Sequence, residues 1–269
     1  MRKIFLAALL LVTMIFTGCG GGSDKPAGSD APADKKLEKI TIGLDDEYAP
    51  MGFKNEQNEI VGFDVDLAKE AAKRLGVPVE FKAIDWNSKE AELKSGRIDI
   101  IWNGLDITPE REENMLFSKP YMDNRQIIFV KVGGANGIKD ETELAGKKVG
   151  TQAGSTAEAY IDKTPALKDS FAEFKTYGDY VSAFMDLENG RIDALVCDEI
   201  TGRYAMSKQE GKFEALDVTV GDMTQFGIAF RKEDTELRDK VQKVFDDMIK
   251  DGTAAKISEQ WFKADLLKK

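Results

Sequence analysis

The sequence predicts an α/β fold with two Rossmann-like lobes, parallel-rich sheets, a two-strand hinge and a ligand cleft between the lobes. Three observations predict it: a repeated segment, alternating strand and helix patterns around each copy, and two apolar strands that could cross between lobes. The repeat is "LKSGRIDIIWNGLD" at residues 93–106 and "LENGRIDALVCDE" at residues 187–199. The chain therefore encodes one helix end, one turn and one strand twice.

Each copy of the repeat has the same order of a helix, a glycine and a strand. Helical periodicity leads to a glycine, Gly96 or Gly190, where a left-handed cap would end the helix. The segments that follow, residues 97–101 and 191–196, are predicted to be buried parallel strands. A helix, a glycine and a strand can recur by chance in any α/β protein. The prediction of two lobes therefore also depends on the patterns that flank each copy.

Similar strand and helix patterns flank both copies. Their order predicts one helix-covered sheet for each copy, and therefore two lobes. The predicted elements are strand 40–43, helix 63–75 and strand 79–83 around the first copy, and strand 147–150, a helix from Thr156 and strand 174–177 around the second.

Two further apolar runs could connect the lobes. Residues 126–130 could cross from the first lobe to the second, and residues 226–230 could cross back. Two crossings form a hinge that permits closure around a ligand. We therefore predict lobe 1 at residues 37–122 and 227–269, and lobe 2 with the hinge strands at residues 123–226.

The N-terminal residues predict export and a lipid anchor. A basic start precedes an apolar run of 13 residues, Ile4 to Phe16, which is shorter than the ~20 residues that span a bilayer. The segment "FTGC", ending at Cys19, resembles a bacterial lipobox, so residues 1–18 are predicted to be a signal peptide and Cys19 the lipidated residue. Residues 19–36 are predicted to be a flexible tether. The folded part is thus expected outside the cytoplasm, held at the cell membrane; a plain signal peptide cut nearby is the alternative.

Charge and composition exclude several classes of function. The chain has 48 acidic and 38 basic residues, a net charge of -10, which argues against nucleic acid and anionic lipid surfaces as partners. It has no His, which excludes Ser-His-Asp and Cys-His nucleophiles and most zinc sites. Cys197 follows an apolar run and is expected to be a small buried residue. We predict a monomer without metal or cofactor.

Six stretches of the chain together resemble one known family. They are "IGLDDEYAPMGF", "GFDVDLAKEAAKRLG", "WNGLDITPERE", "FSKPY", "GTQAGSTAEAY" and "GRIDALVCDE". Their order and spacing are similar to those of the polar amino-acid-binding proteins of bacterial ABC importers, the family 3 extracellular solute-binding proteins with a type II periplasmic-binding fold. The resemblance covers residues 40–262. It implies an amino acid as ligand, a membrane permease and its ATPase as partners, and no enzymatic activity.

A zwitterionic amino acid needs a cation for its carboxylate and an anion for its ammonium. Arg111 is the predicted cation, because it lies in a helix start and a guanidinium can grip a carboxylate through two parallel bonds. An ion pair with a neighbouring Glu is its alternative role. Ser155 and Thr156 open a helix whose N–H groups could reach the same carboxylate, or they only cap that helix. The resemblance implies that Asp198 and the Gly104 carbonyl accept the ammonium.

The resemblance also implies residues around the ligand side chain. Tyr48 and Trp86 would enclose its aliphatic or cationic part, and Asp45 would meet a cationic end. Aromatic residues in such loops are also common in cores. Gln152 completes the predicted ligand-binding set.

Two candidate site residues depart from the family pattern. Asp106 occupies a position where Ser or Thr usually helps to bind the carboxylate, and Asn103 replaces a small residue. A buried unpaired carboxylate demands a cation, so Asp45 and Asp106 favour arginine or lysine as the ligand. If both acids face solvent or cap turns, cystine or another uncharged polar amino acid is predicted instead. Alternatives from other classes are a cyclohexadienyl or arogenate dehydratase-like enzyme and a sensor that presents its ligand to a membrane receptor.

Overall fold

The computed structural model describes residues 38–134 and 137–269. The predicted signal peptide, Cys19 and tether lie outside the described residues. Among the helices of these two described ranges, none is both long and apolar enough to cross a bilayer.

Strands and helices alternate along the described chain. The strands are β1 Ile40–Leu44, β2 Glu47–Tyr48, β3 Gly52–Lys54, β4 Ile60–Val61, β5 Val79–Ala83, β6 Ile100–Asp106, β7 Met115–Phe117, β8 Met122–Asn124, β9 Gln126–Lys131, β10 Lys148–Gln152, β11 Glu173–Tyr177, β12 Ala194–Asp198, β13 Phe213–Thr219 and β14 Thr224–Arg231. The helices are α1 Phe63–Leu75, α2 Lys89–Lys94, α3 Pro109–Asn114, α4 Thr156–Lys163, α5 Pro165–Lys168, α6 Tyr180–Glu188, α7 Glu199–Lys208, α8 Thr235–Lys250 and α9 Thr253–Phe262. Short 3-10 turns occupy Trp86–Ser88 and Glu141–Leu144.

The described strands form two large sheets and one small sheet. The first large sheet has the order β5-β1-β6-β14-β7, with β8 also on β14, and the second has the order β11-β10-β12-β9-β13. In each sheet three neighbouring strands are parallel, and the strand that crosses from the other half of the chain is antiparallel to them. The small sheet contains β2, β3 and β4. The predicted α/β class with two lobes is confirmed.

The repeated segment builds the same helix end in both sheets. Gly96 (φ 73°) and Gly190 (φ 69°) both adopt the left-handed conformation. The arginine after each glycine donates its backbone N–H to the carbonyl five residues back, at 3.1 Å in the first copy and 2.9 Å in the second. A side chain would be strained at this φ, so glycine ends α2 and α6 here.

The strands of the repeat begin later than the sequence predicts. We expected strands at 97–101 and 191–196, but β6 begins at Ile100 and β12 at Ala194. Residues 103–106, expected to follow a strand, therefore form the second half of β6.

An aspartate before each strand explains this delay. The Asp99 carboxylate accepts the N–H of Thr41 at 2.9 Å, and the Asp193 carboxylate accepts the N–H of Lys148 at 2.8 Å. In each copy an aspartate side chain thus replaces the backbone acceptor. The regular ladder of backbone hydrogen bonds therefore starts at the residue after that aspartate.

Two short connections join the large sheets. β8 ends in the first sheet at Asn124, and β9 begins in the second at Gln126. β13 ends in the second sheet at Thr219, and β14 begins in the first at Thr224. The Val220 N–H bonds the Gln126 carbonyl at 2.9 Å, so the two connections lie side by side. The lobe boundaries predicted at 122/123 and 226/227 remain a prediction.

Helix packing fixes the strand that carries much of the site. α8 buries Leu237, Val241, Phe245 and Met248. The Phe245 ring meets the Trp102 ring of β6 edge-on, with centroids 5.8 Å apart. β6 is buried along its whole length, so its residues cannot shift without disturbing this core.

Candidate ligand-binding site

One small cavity lies between the two lobes. About 230 Å³ of space that no atom occupies lies within it, including space that is open to solvent. Nine residues line it, and all belong to the set selected from the sequence: Tyr48, Trp86, Gly104, Asp106, Arg111, Gln152, Ser155, Thr156 and Asp198. Their position around one cavity is a finding, whereas their contact with a ligand stays a prediction.

The sequence around Arg111 starts a helix that points this side chain into the cavity. Thr108 caps α3 by accepting the Arg111 N–H at 3.3 Å, and Pro109 occupies the first helical position. Proline suits this position because its missing N–H would have no partner inside the helix. Arg111 therefore lies at the first turn, beside the end of β6.

The Arg111 guanidinium is buried and makes no ion pair within the described residues. It is 8% exposed. It donates to the Asp106 carbonyl at 2.9 Å, to the Gly154 carbonyl at 3.1 Å and to the Thr156 hydroxyl at 3.4 Å. These acceptors are all uncharged, so the positive charge can still be neutralised by an anion. The alternative ion pair with a neighbouring Glu does not form.

The start of α4 faces Arg111 from the second lobe. Ser155 caps this helix by accepting the Glu158 N–H at 3.0 Å, and Thr156 follows as the first helical residue. A helix start presents unpaired N–H groups and a favourable dipole to an anion. Ser155 thus caps the helix and also lines the cavity, and its contact with a ligand carboxylate stays a prediction.

Asp198 ends β12 and is buried against two amides. Its Oδ1 accepts the Asn124 amide at 2.6 Å and the Gln126 amide at 2.5 Å. Burial, and then the nearby charge of Asp106, raise the pKa of Asp198 above its ordinary value. No cation pairs with it among the described residues, so a cation in the cavity would relieve this cost.

The Asp106 carboxylate is already saturated by donors from three elements. It accepts the Asn124 amide at 3.0 Å, the Thr224 hydroxyl at 2.6 Å and the Thr156 hydroxyl at 2.5 Å. These donors come from β8, β14 and α4, so one carboxylate joins both connections between the sheets to the second lobe. This explains how an Asp is accommodated next to Arg111.

Two parallel rings form the walls of the cavity. Tyr48 and Trp86 are stacked at 8°, with ring centroids 6.3 Å apart. A flat group that contacts both rings at ~3.5 Å needs rings about 7 Å apart. The two rings would therefore have to move slightly apart to admit such a group. Trp86 also packs in a hydrophobic cluster of the first lobe, so it has a core role as well.

Asp45 and Asn103 do not line the cavity, although both are buried. Asp45 Oδ2 accepts the side-chain amide of Gln152 at 2.6 Å. Because Gln152 lines the cavity, Asp45 lies behind it and is separated from the cavity by this side chain. Burial raises the pKa of Asp45 to about 6. The Asn103 side chain accepts the Asp45 N–H at 2.9 Å, so it supports Asp45 from β6. The expectation that these two residues contact the ligand directly gains no support from this geometry.

Three residues that hold the site were not predicted from the sequence. Asn124 and Gln126 orient Asp198, as given above. Lys89 is only 3% exposed, donates to the carbonyls of Trp86 at 3.1 Å and Gly154 at 2.9 Å, and lies 4.9 Å from the Trp86 ring centroid. Burial, and then Arg111, lower the pKa of Lys89 to about 7. An isolated Lys at a helix start carries no signal of such burial.

Comparison with known proteins agrees with this architecture. Residues 40–264 match the family model of bacterial extracellular solute-binding proteins, family 3. The chain is 32% identical to the L-cystine-binding protein TcyJ of Escherichia coli K12, with 96% of each chain covered. It is 34% identical to ABC transporter arginine-binding protein 1 of the same strain, covering 97% of this chain and 99% of that one.

A solved structure is similar over most of the described chain. It is a substrate-binding protein of an ABC uptake transporter from Streptococcus pneumoniae with bound histidine. The TM-score is 0.81 at 37% identity, with 86% of this chain and 95% of that chain covered. Together with the family match and the cavity between two lobes, this shows that the chain belongs to the family 3 bacterial extracellular solute-binding proteins.

Proposed function

We propose that this protein binds one amino acid between its lobes and delivers it to an ABC permease and its ATPase. The observation that supports this most is the pair of Arg111 and Asp198 at one cavity. Neither the guanidinium nor the carboxylate has a counterion in the described part of the chain, and the two together match the two charged groups of an amino acid. The helix start at Thr156 adds N–H donors on the side of Arg111.

We further propose that the amino acid has a cationic side chain, arginine or lysine. Four carboxyls lie at or directly behind the cavity: Asp45, Asp64, Asp106 and Asp198. Two basic groups, Arg111 and Lys89, oppose them, so four minus two leaves an excess of two acidic groups. A basic amino acid brings +1 and reduces this excess, whereas a neutral one leaves the excess unchanged in a buried place.

The aromatic walls support the same ligand class. A guanidinium is flat and binds well over aromatic faces, and Tyr48 and Trp86 are close to parallel. Gln152 lies between Asp45 and the cavity, so a cationic end would meet this amide and the charge behind it. Asp45 would then act mainly through its charge.

An uncharged polar amino acid such as cystine is the second candidate. The observation in its favour is the saturated carboxylate of Asp106, because an acid with three donors does not require a cation. The similarity to a cystine-binding protein supports it as well.

Calorimetry with arginine, lysine, glutamine and cystine tests this choice. We expect tight binding of arginine or lysine. Asp45→Asn should weaken binding of the basic amino acid about tenfold, because a charged partner becomes a neutral one. Asp46→Asn is the matched control, since Asp46 pairs with Lys54 instead. Tight binding of cystine or glutamine, with arginine and lysine inert, would exclude the basic ligand.

We also propose that the protein works as a monomer and converts no substrate. Purified protein should therefore leave arogenate unchanged in a coupled assay. Co-purification with a permease and an ATPase, and not with a membrane receptor, would separate import from sensing.

A lipid anchor at Cys19 is proposed from the sequence. Cys19→Ser should release the protein from membranes or leave it unprocessed, because the acyl chains would be missing. Unchanged membrane fractionation, with a mature mass that lacks a diacylglyceryl group, would contradict the anchor.

A further inference from the structure

Asp64 is a buried carboxyl to which the proposed binding scheme gives no role beyond its charge. It is the second residue of α1, and its side chain does not cap that helix. Its relative exposure is 0%, so it lies behind the cavity wall and does not line it. Its Oδ2 accepts the Gly104 N–H at 2.7 Å and the Tyr121 hydroxyl at 2.9 Å.

The Gly104 N–H needs this partner because β6 is irregular there. Gly104 has φ 55°, and the pairing of β6 with β14 shifts between Gly227 and Ala229, opposite this stretch. A buried N–H without an acceptor would cost about as much as a lost hydrogen bond. A Cβ on Gly104 would also lie 2.8 Å from the Tyr48 ring, so the backbone itself forms the wall.

We propose that Asp64 is a positioning residue for the ammonium end of the site: it holds the Gly104 backbone at the cavity edge and places a second negative charge behind it. The inference rests on the proposed function, in which Asp198 accepts the ligand ammonium, and on the implication of the family resemblance that the Gly104 carbonyl accepts it as well. Asp64 acts through Gly104 and does not touch the ligand.

The electrostatic surroundings of Asp64 support this role. Burial raises its pKa to about 7, and the bonds from Gly104 and Tyr121 only partly offset this. Tyr121 is the titratable side chain in contact with it, and no basic side chain of the described residues pairs with it. An ammonium bound at Gly104 favours the ionised carboxyl, so ligand and Asp64 stabilise each other's charge.

Asp64→Asn tests the charge while it keeps an oxygen for Gly104. The matched control is Asp66→Asn on the same helix, because Asp66 bonds Trp261 and not Gly104. With L-arginine as the probe, we expect about five- to tenfold weaker binding for Asp64→Asn and less than a twofold change for Asp66→Asn.

Proton exchange provides a readout that a merely structural role would not change. Calorimetry at pH 7 in phosphate and in Tris gives the number of protons released on binding, and Asp64→Asn should release fewer than wild type and Asp66→Asn. Carboxyl ¹³C titration of wild type, with the Asp64 resonance assigned through its backbone, should show that the pKa of Asp64 falls when L-arginine binds, even if the variant does not fold.

The outcomes separate the inference from the proposed function. Wild type that binds none of the four amino acids would overturn both. Wild type that binds, with unchanged affinity and proton release in Asp64→Asn and no fall in the pKa of Asp64 itself on binding, would overturn the role of Asp64 alone.

Discussion

Among the described residues, only uncharged groups contact the charged ends of Arg111 and Asp198. Arg111 donates to two carbonyls and a hydroxyl, and Asp198 accepts two amides. Such neighbours fix the direction of a charged side chain without neutralising it. Each residue is therefore oriented before an amino acid arrives, which reduces the ordering that binding requires.

Arg111→Ala and Asp198→Ala should each abolish amino-acid binding without unfolding the protein. Loss of one partner of a desolvated charged pair costs ~2–5 kcal/mol, or about 30- to several-thousand-fold in affinity. Calorimetry on variants with native circular dichroism measures this. Arg203→Ala and Asp123→Ala, both at exposed positions, are the controls. Near-normal affinity would remove the residue concerned from the site.

Residue types at the site could be selected from the sequence, but their partners could not. Every residue that lines the cavity came from the sequence, because the motifs keep their order along the chain. The partners of Asp106 lie 18, 50 and 118 residues away, at distances that only the folded chain closes. For the same reason the sequence favoured Asp106 as an unpaired charge, whereas it is saturated.

Among the elements, those ended by a local signal were predicted most accurately. α1 spans the predicted residues 63–75 because Gly76, with φ 69°, ends it through local bonds. β6 and β12 were misplaced at their starts because Asp99 and Asp193 bond neighbouring strands, a contact that no local pattern reveals. An element boundary that depends on bonds within a few residues can be predicted from the sequence. A boundary that depends on a bond to another strand cannot.

The glycines that end the repeated helices should matter through backbone conformation alone. A Cβ at Gly190 would meet nothing within 4 Å, but its φ of 69° is unfavourable for any other residue. Gly190→Ala should therefore lower the free energy of unfolding by ~1–2 kcal/mol, measured by urea denaturation.

Two other glycines calibrate this measurement. Gly178→Ala should be close to neutral, since Gly178 has free space and no positive φ. Gly202→Ala should cost more than Gly190→Ala, because its Cβ would lie 2.0 Å from the Phe129 ring. If Gly178 and Gly190 variants are equally stable, the cap does not limit α6.

Across the whole molecule, buried carboxyls should make stability and ligand affinity respond to pH in opposite directions. The pKa values of Asp45, about 6, and Asp64, about 7, are raised by burial. At these two carboxyls the folded chain binds protons more readily than the unfolded chain, so without ligand its stability should rise as pH falls from 7 towards 5, whereas Lys89, with its pKa lowered to about 7, opposes this trend at pH 7 and above. The slope is about 1.4 kcal/mol per pH unit for each whole proton.

Affinity should fall over the same interval. A bound cation favours the ionised carboxyls, so affinity is highest above pH 7 and falls as pH drops through about 7 and then about 6, the pKa values of Asp64 and Asp45. Urea denaturation and calorimetry from pH 5 to 8 measure the two trends. Carboxyls with a lowered pKa, such as Glu92 at about 2, oppose the stability trend only at more acidic pH. Parallel trends would show that these acids do not control binding.

The inaccessible thiol of Cys197 makes it possible to label this protein selectively at introduced cysteines. Cys197 is fully buried, and burial, followed by the charge of Asp198, raises its pKa, so it should resist maleimide dyes. The chain has one other cysteine, Cys19, far from the cavity in sequence. With Cys19 replaced, a cysteine at exposed Lys94 in the first lobe or exposed Met185 in the second would take a fluorophore selectively. Fluorophores at both positions would report closure of the lobes as a change in fluorescence, which would measure free amino acid.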